Sequence, residues 1–308
     1  MANVYTIGET VLDMIFSNNQ PVAAKAGGSM LNTSVSLGRL GIPVYFISEY
    51  GIDKVGQMIE SFLKENSIDT RFVHHYNDGK TALAMAFLDE NNNASYDFYK
   101  LYPRKRLEIT IPAINADDYV MFGSFYGITN DIRPTIKDIL AAARQQGSVI
   151  YYDPNFRKAH LHELEQLRPL IIENMQMATV VRCSNEDMEL IAGARDAASA
   201  YKYISQYCPN MIYTDSSKGV SVYTPSGVFG FPVRKINPVS TIGAGDTFNA
   251  GIIHSFWKAG IRKHQIPTLK ADDWGLIITN AVDFATEVCM SYENYISVGF
   301  AQNFTKTV

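Results

Sequence analysis

The chain has 308 residues, of which 46% are hydrophobic and 19% are charged, and its formal net charge at pH 7 is −4. This balance is typical of a globular enzyme and excludes a disordered chain, while the lack of a basic run argues against nucleic acid or an anionic membrane as a partner. The first sixteen residues lack the pattern of a secretion signal, and no apolar run approaches the roughly 20 residues that span a bilayer. Because the three cysteines (Cys183, Cys208 and Cys289) are scattered, we expect reduced thiols and a cytoplasmic location.

Strand-like and helix-like segments alternate along the chain. Short apolar runs predict strands at residues 4–8, 43–48, 119–124, 149–155, 179–184 and 211–215. Segments with helical periodicity lie near residues 30–40, 55–66, 133–146, 185–207, 246–259 and 272–290. Because several strands are apolar nearly throughout, both of their faces are expected to be covered. The alternation predicts a three-layer α/β/α sandwich with a mostly parallel central sheet.

Residues 72–101 break this alternation. Their strand-like runs are split by an Asn-Asp-Gly and an Asn-Asn-Asn turn, which indicates antiparallel hairpins with no room for a crossover helix. The apolar segment at residues 11–16 is a candidate for one further strand. We therefore expect a single domain over residues 1–308, with a small β-strand lid formed by about residues 11–20 and 72–104. The alternative is an extension of the main sheet at its edge.

The segment AGGSMLNTSVSLGRLG (residues 26–41) joins a Gly-Gly turn to the start of a helix. Small residues along it allow close packing against a neighbouring helix, and Asn32 on the first helical turn offers both a donor and an acceptor to a polyol. Taken alone, the segment is also consistent with a helix that is simply tightly packed.

The segment TIGAGDTFNAG (residues 241–251) begins an amphipathic helix. Gly243, Ala244 and Gly245 form its first turn, where unpaired amides and the helix dipole bind anions and glycine lets the backbone approach a ligand. Asp246 follows directly, and a carboxylate at this position supplies the base that phosphoryl transfer to a hydroxyl requires. The alternative is an aspartate that caps a glycine-rich turn without taking part in chemistry.

Together the two segments resemble the two signatures of the ribokinase-like, phosphofructokinase-B-type (PfkB) carbohydrate kinases. In that family the first signature is Gly-Gly followed by Asn and a helix closing in Arg-Leu-Gly, and the second is Gly-Ala-Gly-Asp-x-Phe near the C-terminus. The resemblance covers essentially the whole chain and looks closest to fructokinases. It implies a parallel α/β sandwich with a β-strand lid over the sugar.

The resemblance also implies the catalytic residues. Asp246 matches the general base that takes the proton from the primary hydroxyl of the sugar. The amides of Gly243, Ala244 and Gly245 match the anion hole that holds the transferring phosphate. Each of these positions is intact in the sequence, which favours turnover over binding alone.

Five residues match the sugar side of the family site. Asp13 in GETVLD matches the acid that binds sugar hydroxyls, and Gly28 and Asn32 match further sugar contacts. Lys100 in YDFYKL stands where related lid strands carry arginine, so it keeps the charge but loses the planar fork that suits a sugar carboxylate. Arg157 in YYDPNFR is expected to reach the substrate or the phosphate.

Five further residues match the nucleotide side. They are Asn155 in YYDPNFR, Asn185 in NEDM, Thr214 and Gly219 in TDSSKG, and Asn280 on a predicted helix. We expect ATP as the phosphate donor. Asn155 is expected to face the phosphate region, and the other four are candidates for nucleotide contact.

Three departures from the family pattern concern the metal and the nucleotide. Ser240 replaces the aspartate that usually precedes the threonine of the second signature, and Met188 occupies the glutamate position of an Asn-x-x-Glu element tied to magnesium. Ser216 replaces the first glycine of the loop near the nucleotide. The metal ligands are therefore left open, with Mg²⁺ expected on ATP through water. A monovalent cation such as K⁺ is a further candidate cofactor.

These features predict an ATP-dependent sugar kinase that phosphorylates a primary hydroxyl of a monosaccharide, with fructose as the first candidate. Ribose, 2-keto-3-deoxygluconate and nucleosides are the alternatives, as is a sugar-binding relative without turnover. No P-loop or dinucleotide fingerprint occurs, and His160 and His162 lack the cysteine neighbours of a zinc site. The expected partners are the sugar, ATP and a second copy of the chain docked through the lid.

Overall fold

A large sheet forms the centre of the protein in the computed structural model, which describes residues 2–88 and 94–307. Its strands are β1 (Val4–Ile7), β4 (Val44–Gly51), β5 (Ile68–Tyr76), β8 (Tyr119–Gly123), β9 (Val149–Asp153), β10 (Val180–Ser184), β11 (Met211–Thr214), β12 (Val220–Thr224) and β13 (Gly227–Phe231). Within the described residues their order is β13-β12-β11-β10-β9-β8-β1-β4-β5. All neighbours from β5 to β11 pair in parallel, and β12 and β13 add an antiparallel edge.

Helices cover both faces of this sheet. They are α1 (Ser29–Arg39), α2 (Lys54–Glu65), α3 (Arg133–Gln146), α4 (Leu164–Met177), α5 (Asn185–Ala192), α6 (Ala197–Ile204), α7 (Ala244–Ala259), α8 (Ala271–Cys289) and α9 (Val298–Thr307). One buried apolar cluster packs α1, α2, α7, α8 and α9 against the sheet. A second cluster packs the four helices α3, α4, α5 and α6 against it. The predicted three-layer sandwich with a mostly parallel sheet is therefore confirmed. In the part of the chain that the structure describes, no helix is both long and apolar enough to cross a membrane.

A second sheet contains the strands β2 (Val11–Ser17), β3 (Gln20–Gly27), β6 (Lys80–Leu88) and β7 (Ala94–Leu101), in the order β3-β2-β6-β7. The β2 strand pairs in parallel with β6 and antiparallel with β3, and β6 pairs antiparallel with β7. The β2–β3 hairpin leaves the carboxyl end of β1 and returns directly into α1. This connection places the small sheet at the same edge of the large sheet as the carboxyl ends of its parallel strands.

The bounds of the small sheet differ from the expected lid segments. Residues 72–76, which were assigned to the lid, belong to β5 and pair in parallel with β4 of the large sheet. The Asn-Asp-Gly turn therefore connects the two sheets instead of closing a hairpin, because the strand before it is held by the main core through buried residues such as Val73 and Tyr76. The Asn-Asn-Asn turn (residues 91–93) lies outside the described residues. The β3 strand was not predicted, since its Gln, Pro, Ala, Lys and Gly residues have low strand propensity.

Several elements outside the small sheet were also missed or joined wrongly. The predicted helix at 185–207 is two helices, α5 and α6, because Gly193 ends the first in a left-handed conformation with φ +65°. Sequence analysis did not predict α4, which contains Pro169, or β12, β13 and α9.

Candidate active site

The first turn of α7 forms a backbone cradle. Gly243, just before Ala244, has a left-handed φ of +79°, and a Cβ on it would lie 2.5 Å from the carbonyl oxygen of Asn294. Only glycine fits such a position. The Gly243 carbonyl accepts the Thr247 amide at 2.9 Å. Within the described residues the amides of Gly243 and Gly245 have no protein acceptor, so they are available to an anion at the positive end of the helix dipole. The Ala244 amide, also predicted to face the anion, donates instead to the Thr241 carbonyl at 3.3 Å.

Asp246 is held by the first turn of α1. Its Oδ1 accepts a hydrogen bond from Ser29 Oγ at 2.6 Å and its Oδ2 accepts one from Asn32 Nδ2 at 2.8 Å, while its backbone carbonyl accepts from Thr33 Oγ1 at 2.9 Å. Burial raises the pKa of Asp246, and the hydrogen bonds from Ser29 and Asn32 and the charge of Arg157 oppose that rise. The carboxylate is thus surrounded by polar groups and fixed in direction.

Asn32 also presents an open acceptor. Its Oδ1 is buried and has no hydrogen-bond partner among the described residues, although its Nδ2 is bound to Asp246. A buried acceptor without a partner costs free energy, so a donor from a ligand is favoured there. A sugar hydroxyl is such a donor.

The Gly-Gly turn makes room for Asp13. A Cβ on Gly27 would lie 1.9 Å from Asp13 Oδ2, and a Cβ on Gly28, whose φ is +126°, would lie 2.1 Å from the carbonyl oxygen of Glu9. Both glycines are therefore required by close contacts. Burial, together with the nearby charge of Asp246, raises the pKa of Asp13 to about 7. Two acidic groups thus face one small region between the two sheets.

Arg182 is a site residue that sequence analysis missed. It lies on β10, where its guanidinium contacts Asp153 Oδ2 at 3.0 Å and Thr214 Oγ1 at 2.8 Å. A Cβ on Gly245 would lie 3.2 Å from Arg182 Nη1, so the cation packs directly against the cradle. Although burial alone lowers the pKa of Arg182, the Asp153 carboxylate raises it and keeps the group charged. The signal was a lone charged residue within the apolar strand TVVRCS.

The segment after β9 is fixed by two buried acids. Asp153 Oδ1 accepts from the Asn155 amide at 3.2 Å, and Asp187 Oδ1 accepts from the Phe156 amide at 2.7 Å. Asn155 has a left-handed φ of +40°, and Arg157 beyond it is exposed. The charge of Arg157 lowers the pKa of Asp246, so its guanidinium lies within electrostatic range of the candidate base.

The start of α5 differs from the expected arrangement of the NEDM segment. Ser184 is the N-cap, and Asp187 closes a capping box by accepting the Ser184 amide at 2.7 Å and its hydroxyl at 2.6 Å. Burial and the charge of Asp153 raise the pKa of Asp187. Met188 is fully buried in the core, and Asn185 is half-buried on the first turn. The buried acid of this segment is therefore Asp187, one residue before the position assigned to the family glutamate.

Lys100 is paired with an acid of the main body. Its Nζ lies 2.6 Å from Glu9 Oε1, and the Tyr102 hydroxyl donates to the same oxygen. Glu9 lies between β1 and β2, so this pair joins the last strand of the small sheet to the segment that leads into Asp13. Sequence analysis did not identify Glu9.

The remaining nucleotide candidates lie along the edge of the sheet or behind it. Thr214 ends β11, Ser216 adopts a left-handed φ of +46°, and buried Gly219 has φ +124° with Phe231 packed against it. The glycine preference of related loops fits the conformation of Ser216. Asn280 lies on α8, where its Nδ2 donates to Ser255 of α7 at 3.1 Å. This bond holds the Asn280 side chain beside Ser255, which lies nine residues after Asp246 on α7.

The described residues contain no group of three or more His, Cys, Asp or Glu side chains arranged to hold a metal ion. The two buried acids Asp153 and Asp187 already accept protein hydrogen bonds. Ser240, at the position of the missing family aspartate, accepts the Ile242 amide at 3.2 Å. These donor sets suit a Mg²⁺ that keeps its waters better than one held directly by carboxylates.

Comparisons with known proteins match most of this chain to one family. The model of the pfkB family of carbohydrate kinases matches residues 1–288. The chain is 28% identical to a fructokinase of Rhizobium leguminosarum bv. trifolii over 275 residues (85% of this chain, 82% of the relative) and 24% identical to the aminoimidazole riboside kinase of Salmonella typhimurium over 273 residues (86% and 84%).

Solved structures show the same fold at lower identity. The fructokinase from Vibrio cholerae O395 with fructose, ADP and a calcium ion superimposes with a TM-score of 0.85 at 20% identity, covering 99% of each chain. A double mutant of that enzyme, with fructose, ADP and a potassium ion, also gives 0.85 at 20% identity, covering 99% of this chain and 98% of the other. The present chain therefore belongs to the pfkB family of carbohydrate kinases, enzymes that transfer a phosphoryl group to an alcohol group.

Proposed function

We propose that the protein is an ATP-dependent sugar kinase that phosphorylates a primary hydroxyl of a neutral monosaccharide, with fructose as the first substrate to test. The observation that carries this proposal is Asp246, an ionisable group held by Ser29 and Asn32 at the mouth of a cradle with free amides. Relatives named fructokinase support the choice of sugar.

The proposed chemistry uses Asp246 as the general base. Its carboxylate accepts the proton of the sugar hydroxyl as that oxygen bonds to the γ-phosphorus and the bond from phosphorus to the ADP oxygen breaks. The free amides of Gly243 and Gly245 stabilise the negative charge on the phosphoryl oxygens, and the Ala244 amide would join them on leaving the Thr241 carbonyl, to which it donates at 3.3 Å. Arg182 adds a fixed positive charge behind them.

The sugar side is proposed to recognise hydroxyl groups. Asp13 accepts hydrogen bonds from them, Asn32 Oδ1 offers a second acceptor, and Gly28 keeps the approach open. Lys100 is neutralised by Glu9 at 2.6 Å, so it does not offer a free positive charge to a sugar carboxylate. This pairing favours a neutral sugar over a keto acid such as 2-keto-3-deoxygluconate.

The nucleotide is proposed to follow the edge of the large sheet from the cradle towards the β11 end. Asn155, Asn185, Thr214 and Gly219 are the candidates for contact, and Asn280 is a weaker one because it is bound to α7. Mg²⁺ on the nucleotide would neutralise phosphate charge and keep its waters. A monovalent cation such as K⁺ remains a candidate activator, since a related mutant enzyme was solved with potassium.

Two further expectations concern the whole protein. A homodimer through the small sheet is supported by exposed apolar side chains on its strands: Val22, Tyr99 and Leu101 are each more than half exposed. A cytoplasmic location is supported by three buried cysteines, none of which forms a disulfide.

ADP release measured over a sugar panel tests the proposal. The panel contains fructose, ribose, 2-keto-3-deoxygluconate and aminoimidazole riboside, the last because of the Salmonella relative. We expect the highest kcat/KM with fructose. Asp246→Asn should lower kcat by about 10²–10⁴-fold, since a general base acts in the transition state, while sugar binding measured by calorimetry stays within a few-fold. Sugar binding without ADP release from any sugar would instead indicate a binding protein.

A further inference from the structure

Lys25 links the small sheet to a distant loop of the main body. It lies on β3, directly opposite Asp13 of β2 in the antiparallel register. Its side chain is 18% exposed, and its Nζ contacts the Tyr292 carbonyl oxygen at 2.8 Å and Glu293 Oε1 at 2.9 Å. The contact therefore joins the strand next to the proposed sugar-binding acid to the segment between α8 and α9.

That segment supports the anion cradle. The Cα, carbonyl carbon and carbonyl oxygen of Asn294 lie 2.5–2.9 Å from where a Cβ on Gly243 would stand, so the Asn294 backbone packs directly against the cradle. Farther along, Arg39 of α1 donates to the Ile296 carbonyl at 2.7 Å. Lys25 thus fixes one end of the supporting segment and Arg39 fixes the other.

We propose that Lys25 is a positioning residue for phosphoryl transfer: from the sugar-side sheet, it holds Tyr292 and Glu293 so that Asn294 keeps Gly243 and the cradle in place. Lys25 itself touches neither the phosphate nor Asp246. This role deepens the proposed function and rests on it. Lys25 lies in the small sheet beside Asp13, a position that would suggest a role on the sugar side. We expect it instead to affect the nucleotide side of the reaction.

The alternative is an ordinary surface ion pair, which contributes little to stability and nothing to turnover. The two readings differ in the kinetics. If Lys25 positions the cradle, its loss should lower kcat and raise the KM for ATP, because misplacement of the donors by a fraction of an ångström weakens transition-state binding. The KM for the sugar should hardly change, since Asp13, Asn32 and Asp246 keep their contacts.

The test compares Lys25→Met with Lys64→Met, a matched control that removes a similar lysine–carboxylate contact, the 2.7 Å pair with Glu60, away from the site. Steady-state ADP release is measured with ATP and with the preferred sugar varied in turn. For Lys25→Met we expect kcat/KM for ATP to fall about tenfold while the sugar KM stays within about twofold. Lys64→Met should match the wild type.

Two more variants complete the experiment. Lys25→Arg keeps a cation that can reach the same oxygens and should recover most of the lost activity, and Glu293→Gln keeps the Tyr292 contact and should cause a smaller loss of the same kind. If Lys25→Met does not fold, as judged by its melting curve, Glu293→Gln carries the comparison. Wild-type kinetics in Lys25→Met, or in Glu293→Gln where that variant carries the test, would overturn the inference, as would a loss confined to the sugar KM. A wild-type enzyme that releases no ADP with any sugar would instead refute the proposed function.

Discussion

The carboxylate of Asp246 is held by hydrogen bonds from two side chains of another helix. Ser29 and Asn32 each donate to one carboxylate oxygen, at 2.6 and 2.8 Å. These bonds favour the ionised form in a buried setting that opposes it, and they fix the direction of the carboxylate. The candidate base is therefore oriented by α1, although it lies on α7.

Removing the Ser29 hydroxyl should change the pH dependence of turnover. The hydrogen bond from Ser29 lowers the pKa of Asp246 against the effect of burial. In Ser29→Ala that pKa rises further, so the acid limb of the kcat/KM profile should move to higher pH, with activity lost at acid pH and regained as the pH is raised from acid to alkaline values. The measurement is kcat/KM for the sugar across this range.

Thr33→Val is the matched control for Ser29→Ala. It also removes a hydroxyl that bonds to Asp246, but that hydroxyl binds the backbone carbonyl and not the carboxylate. Its acid limb should stay where the wild type has it. An unmoved limb in Ser29→Ala would show that the Ser29 hydrogen bond does not tune the base.

Asp13 should lower stability at neutral and alkaline pH. Its pKa rises from 3.8 to about 7 on folding, so between these values the folded state holds more protons than the unfolded state. Stability therefore falls as pH rises through this window, and the full cost is present above pH 7. Asp13→Asn should raise the free energy of unfolding at pH 8 and change it little at pH 4.

Urea unfolding of Asp13→Asn and wild type at both pH values tests this expectation. The same variant should have a raised sugar KM, because an amide replaces the carboxylate acceptor. Equal changes in the free energy of unfolding at the two pH values would show that the charge of Asp13 does not cause the loss of stability.

At the scale of elements, the start of α7 depends on contacts from outside the helix. Gly243 needs both its left-handed φ of +79° and the space in front of Asn294. Gly41, after α1, has nearly the same φ, +76°, but nothing lies within 4 Å of a Cβ placed on it. Comparing these two glycines therefore distinguishes the cost of backbone strain from the cost of a steric clash.

Substituting alanine at each glycine should separate these effects. Gly41→Ala should cost about 1 kcal/mol of stability from backbone strain and leave kcat unchanged. Gly243→Ala carries the same strain and also pushes against Asn294, so its kcat should fall about tenfold or more. Thermal unfolding and ADP-release rates are measured on both. Similar rates for the two variants would mean that the cradle tolerates the displacement.

At the scale of the whole molecule, exposed apolar side chains lie at both edges of the small sheet. Val22 on β3 is 59% exposed, and Tyr99 and Leu101 on β7 are 57% and 61% exposed. Exposed apolar side chains on a sheet often mark an interface. We expect the protein to be a dimer, and replacement of all three by serine should yield a monomer in light scattering coupled to size exclusion. Leu276→Ser on α8, a site that is 73% exposed, serves as the control and should remain dimeric.

Sequence patterns alone predicted much of this protein. Apolar runs located six of the seven parallel strands, β1, β4, β8, β9, β10 and β11, because a strand buried on both faces is apolar nearly throughout. The seventh, β5, was assigned in part to the lid. The Gly-Ala-Gly-Asp pattern at residues 243–246 located the candidate base, because the first turn of a helix is formed by residues that are adjacent in the sequence. Asp13 came from a family resemblance and not from its local pattern, whereas Asn32 was also suggested by its place on the first turn of a predicted helix.

Only the tertiary structure identified the residues that act across the chain. Arg182 meets Gly245, Ser29 meets Asp246, and Lys25 meets Glu293 through contacts that span 63, 217 and 268 positions. No local periodicity records which helix will pack on which strand, so these partners could not be read from the sequence. The chain's own pattern determined its layers and its candidate phosphate-binding turn, whereas the packing of α1, β3 and β10 around that turn decided which side chains complete the candidate site.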